Sequence, residues 1–135
     1  MPLTLSGQDK ITLRTAAFGA VSLMAAADAT GQPHRAATDG SIALGSATGL
    51  VGYVLAEWPK GVNLSGKSVA ELADLVLPAL TAVVSRLKQQ APAEAENFRS
   101  TVIVAIEAAA RTHQGVPTPT MADMIRKITE ALDAA

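Results

Sequence analysis

The residues of this chain best suited to chemistry lie in one short run, Gly61-Val62-Asn63-Leu64-Ser65-Gly66-Lys67-Ser68. The run fits the phosphate-binding pattern G-x-x-x-x-G-K-[ST] at every fixed position. In that chemistry backbone N–H groups cradle a phosphate chain, Lys67 reaches the terminal phosphates and Ser68 holds Mg²⁺. A strand should precede the run and a helix should follow. A helix does follow, but Leu50–Ala56 reads better as helix than as a buried strand. No later strand ends in Asp; Thr101–Glu107 is the nearest imitation, and it falls mid-helix. The simpler reading makes Gly66 a turn, Lys67 a solvated cation and Ser68 a helix cap. Nucleotide or phosphate binding through Gly61, Gly66, Lys67 and Ser68 is therefore the alternative reading, not the leading one.

The other candidates are sparser. His34, Arg35, Asp39 and Ser41 fall close together, and a His with an Asp is half of a metal site or a general-base pair. Their spacing matches no ligand pattern, so Asp39 reads as a helix cap in an exposed loop. His113 reads as a helix-end cation. Glu107 interrupts an apolar run, where a buried carboxylate would be costly. Pairing with Arg111 one turn on, or with Arg14, relieves that cost. Serine-hydrolase and zinc-protease signatures are missing, and the chain has no cysteine. The sequence implies no catalytic residue, no metal and no cofactor.

These residues sit in a chain of 135 residues with 49% hydrophobic, 17% charged and only 3% aromatic side chains. That length suits a single domain, 1–135, with one core. A net charge of -1 gives no basic excess for nucleic acid. Alanine dominates, and alanine is the best helix former. The expected fold is all-α, a compact bundle of about five helices. The first runs Gly7–Asp28, boxed by Ser6 and Asp9, with Ile11, Phe18, Val21 and Ala25 on one face and Leu13, Ala17, Ala20 and Met24 on another. After a loop at Ala29–Asp39, a second helix spans Gly40–Glu57. The third opens at Ser68 with Glu71 in a capping box and should kink, or split near Leu77, at Pro78. The fourth begins at Pro92 and closes before Gly115. The last begins at Thr120 with Asp123. The first, second and fourth helices should form the centre.

Gly45, Gly49, Gly52 and Ala56 recur three to four residues apart in the uncharged second helix. Interior glycines cost about 1 kcal/mol each relative to alanine, so close approach of another backbone should offset them. The stripe is the candidate helix-contact surface, inside one molecule or across a two-fold axis. Wide apolar faces on four of five helices, in a small bundle, imply apolar surface left over. The expected function is that of a small non-enzymatic protein acting by protein–protein contact, as a homodimer. A carrier of a small apolar ligand held between helices is a further alternative.

Two targeting signals are imitated. Lys10 and Arg14 precede the small-residue run Thr15–Ala27, which ends in Ala27-Asp28-Ala29 like a leader cleavage site. Asp9 and the shortage of leucine argue against it. The uncharged 40–56 stretch is too weakly apolar to span a membrane. A cytoplasmic location is expected, and the alanine-rich composition suits a high-GC bacterium. Leu23–Asp28 with Ala37-Thr38-Asp39-Gly40 resembles a stretch of the tellurite-resistance TerB-like helical domains. The acidic residues expected after that Asp-Gly are replaced by Ser41-Ile42-Ala43-Leu44, so no site is carried over.

Overall fold

The computed structural model describes residues 5–27, 33–56, 64, 68–110 and 119–135. They form six α-helices and, among the described residues, no strand. Helix α1 spans Gly7–Ala26, α2 Pro33–Leu44, α3 Gly49–Leu55, α4 Val69–Gln90, α5 Pro92–Ala110 and α6 Pro119–Asp133.

Two of the helices start where capping chemistry requires. Ser6 Oγ accepts the Asp9 N–H at 3.0 Å, and the Asp9 carboxylate takes the Ser6 N–H at 3.1 Å. The same reciprocal box joins Ser68 and Glu71 at the head of α4. Helix α4 then runs unbroken through Pro78 and does not split near Leu77. The exposed ring faces away from the core, so the lost Asp74 carbonyl bond is open to water.

The 29–57 region departs from expectation. Pro33 opens α2, so the proposed loop at Ala29–Asp39 is helical from residue 33, and Asp39 lies inside the helix instead of capping it. At a first helical position proline loses no bond, which is why it starts a helix here. The single helix proposed for Gly40–Glu57 is instead two, parted by a turn at 45–48. In that turn the N–H groups of Ser46 and Ala47 donate to the carbonyls of Ala43 and Leu44 at 3.2 Å each. Gly49 re-enters helix at φ 66°, a left-handed conformation that side chains resist. Residues 50–55 are helical, so the buried-strand alternative for Leu50–Ala56 falls. The last helix begins at Pro119, again a first-position proline. Asp123, expected as its cap partner, pairs instead with Arg126 at 2.6 Å and Lys127 at 3.2 Å.

Buried side chains from all six helices belong to one hydrophobic cluster. Helix α1 packs on α4, α2 and α5, while α5 packs on α2, α4 and α1, so these two lie at the centre. Ten of the twenty residues of α1 are buried, including most of the run that imitates a leader. Of the proposed glycines Gly49 approaches α5, and two glycines outside the stripe sit closer still to a neighbouring helix. A Cβ on Gly19 would overlap Cγ2 of Val76 in α4. One on Gly40 would lie 2.7 Å from Val21 Cγ1 of α1 and 3.3 Å from the Ala105 carbonyl oxygen of α5. The accessible surface is 6910 Å². A folded monomer of this mass exposes about 6,600 Å². One copy is thus about as compact as a folded monomer, and among the described residues the exposed large apolar side chains are Ile42, Tyr53, Val69, Leu75 and Val104.

Candidate interaction surface

The four residues proposed as one small-residue stripe do not share a helix face. Gly45 is an exposed turn residue whose neighbours are the carbonyls of Ile42 and Ser41. Gly49 heads α3 and faces Glu94 and Asn97 of α5. Gly52 lies over the Ala47 carbonyl of the preceding turn, and Ala56 is exposed just past the end of α3.

A depression of about 180 Å³ lies between the end of α2, the turn and α5, and none of those four residues lines it. Ala43, Ala47 and Val104 give it apolar walls, and Ser46, Thr48 and Asn97 are among its polar groups. Those polar groups have partners within the molecule. Ser46 Oγ donates to the Ala43 carbonyl at 2.7 Å. Asn97 Nδ2 donates to the Thr48 carbonyl at 2.8 Å and to Glu94 Oε1 at 3.2 Å, which ties the turn to α5. Two exposed branched aliphatic residues lie on the helices beside it. Val104, in its lining, is 49% exposed, and Ile42, the residue before the lining Ala43 on α2, is 69% exposed. Neither stood out in the sequence. The available signal for Val104 is its place off the Phe98–Val102–Ile106–Ala109 stripe of α5.

Ser68 is spent as a helix cap, and the Glu71 carboxylate already occupies the Ser68 N–H that a phosphate would take. Gly61, Gly66 and Lys67 lie outside the described residues, as do His113 and Arg111, and the side chains of His34 and Arg35 are likewise not described. Glu107 is exposed, not buried. Arg14 turns instead to α3: it is 4% exposed, and its Nε donates to the Val54 carbonyl at 3.0 Å, in the last turn of that helix. A cation suits the negative end of a helix. A second concavity of about 270 Å³ lies between α1 and α4, with Leu13, Val83 and Leu87 in its walls and the Asp9–Arg86 pair, 3.5 Å apart, beside them. Among the described residues no group of three or more His, Cys, Asp or Glu side chains could hold a metal. Among the same residues no helix is long and apolar enough to cross a membrane.

No family model matches the chain. Comparison with curated proteins and with solved structures likewise finds no match.

Proposed function

We propose that this is a small non-enzymatic helical protein that acts, in the cytoplasm, by pairing with a second copy of itself. The observation that carries the reading is the pair of exposed aliphatic residues on two packed helices, Ile42 of α2 and Val104 of α5, the second of them lining a depression. Single exposed apolar residues are ordinary; two on adjoining helices, one of them at a concavity, offer apolar surface to a partner. Because the monomer buries its own core, the pairing is between folded copies and reversible. Light scattering on the untagged chain tests this. Mass should rise with concentration, and a constant monomer mass refutes the reading.

The α1–α4 concavity favours a second reading, a carrier of a small apolar ligand held between helices. Its volume lies just below the usual range for ligand pockets, about 300–1,000 Å³. Native mass spectrometry of freshly purified protein should then show a retained adduct, and a bare chain mass removes this reading.

A further inference from the structure

The half-open hollow between α1 and α4 sets an apolar bed beside a loosely held cation. Leu5, Leu13, Ala82, Val83 and Leu87 supply its apolar lining, and its volume is about 270 Å³. Its polar side chains are Asp9, Thr12 and Arg86. Thr12 Oγ1 donates to the Gln8 carbonyl at 2.9 Å and accepts from Gln8 Nε2 at 3.4 Å, so an alkyl chain lying beside it strands no hydroxyl. Asp9 is engaged at the head of α1, where its Oδ2 accepts the Ser6 N–H at 3.1 Å. Arg86 is held far less firmly. It is half exposed, and its Nε stands 3.5 Å from Asp9 Oδ2, beyond the usual N–H···O range of about 2.7–3.2 Å. Neither of its Nη groups is hydrogen-bonded to a described residue.

We propose that this hollow binds a small carboxylate-headed apolar ligand, its chain against Leu13, Val83 and Leu87 and its head on the Nη edge of Arg86. The proposal rests on the carrier reading and adds the class of head group and the residue that selects it. A carboxylate matches the planar fork of a guanidinium through two parallel N–H···O bonds, which a neutral head cannot form. A cationic head is repelled by Arg86 and finds only Asp9, whose Oδ2 already faces the Ser6 N–H and Arg86. Lys10 does not line the hollow; its Nζ lies 6.0 Å from the centre of the Tyr53 ring. Selection of the head therefore falls to one side chain. A volume just under the about 300–1,000 Å³ of ordinary ligand sites suits a chain of medium length, such as that of octanoate.

Octanoate, octanol and octylammonium, each kept below its micelle-forming concentration, are titrated into the full chain. The methyl resonances of Thr12, Ala82 and Val83, followed by heteronuclear NMR, report binding at this hollow. Octanoate should bind at least about fivefold more tightly than octanol, and octylammonium more weakly than either. Arg86→Met keeps an apolar stem and removes only an exposed ion pair of little worth to stability, so the variant should fold, as circular dichroism checks. It should bring octanoate to the affinity of octanol or below and leave octanol unchanged. Ala82→Phe, at an exposed lining position, should fill the hollow and weaken octanoate and octanol together. Equal affinity for octanoate and octanol in the wild type, or an octanoate preference that survives Arg86→Met, overturns the head-group assignment and leaves the carrier reading standing. Binding that leaves the three methyl resonances unmoved, or that withstands Ala82→Phe, overturns the site. No binding of any of the three probes overturns both the proposal and the carrier reading.

Discussion

Replacing Gly19 by alanine sets two effects against each other at the contact between α1 and α4. In a helix interior, alanine is favoured over glycine by about 1 kcal/mol. Here the new Cβ would overlap Val76 Cγ2 and lie 3.1 Å from Cγ1 and 3.3 Å from Cβ. Valine is stiff at χ1, and turning it cannot move its own Cβ, so the helices must part. Overpacking of that kind costs about 1–3 kcal/mol, so Gly19→Ala should destabilise by about 1 kcal/mol net. In a Val76→Ala background both γ-methyl groups are gone, and the same change should become neutral or stabilising by up to about 1 kcal/mol. The coupling is then about 1–2 kcal/mol, well above the few tenths by which distant sites fail to add. Urea unfolding followed by circular dichroism on the wild type, both single variants and the double measures it. Gly7→Ala, with nothing within 4 Å of the added Cβ, serves as the uncoupled control. An equal stabilisation by Gly19→Ala in both backgrounds would refute the close contact.

At Gly49 the φ of 66° makes alanine strained, and its Cβ would meet Glu94 Oε2 at 3.0 Å. Gly49→Ala should destabilise by about 1–3 kcal/mol, read by thermal melting, and a rise in melting temperature would contradict the turn geometry. Ser68→Ala should cost about 0.5–2 kcal/mol and Ser68→Gly only a few tenths, with no melting shift from Mg²⁺-ATP in the wild type; a clear nucleotide-dependent rise would restore the phosphate reading. The carboxyl of Asp133 is held below its ordinary value of 3.8 by its hydrogen bond from Arg99, and that of Asp9 by the Ser6 N–H. Because the folded values are depressed, this stabilisation is present above pH 3.8 and is lost as pH falls through them. Acid titration of unfolding free energy should show that decline, and Arg99→Gln should flatten it; an unchanged slope removes Asp133 from the effect.

Much of the architecture was legible because capping is local chemistry. Ser6 with Asp9 and Ser68 with Glu71 mark the heads of α1 and α4 by residues three apart, and both boxes form. The stripe Phe98, Val102, Ile106 and Ala109 is buried as its spacing predicts. Pro33 falls in the stretch expected as loop, yet it opens α2, since a first-turn residue has no helical N–H bond to lose; Pro119 likewise opens α6, one residue before the expected start at Thr120. Glycine misled in a second way. Uncharged, alanine-rich flanks made Gly45, Gly49 and Gly52 look like one helical stripe, whereas the left-handed backbone at Gly49 breaks it. Nothing local distinguishes a glycine chosen for its backbone freedom from one chosen to admit a neighbour, as at Gly19. The depression was illegible for a related reason. It joins Ala43, the 46–48 turn and Asn97–Val104, which only tertiary packing brings together.

Sedimentation velocity of the wild type and Ile42→Glu, from low micromolar to near-millimolar protein, bears most directly on self-pairing through the α2–α5 patch. The wild type should move from a species of 13.8 kDa toward one of twice that mass, while the variant stays at the smaller mass throughout. A wild type that remains at 13.8 kDa over the whole range, or a variant that associates as the wild type does, contradicts the account.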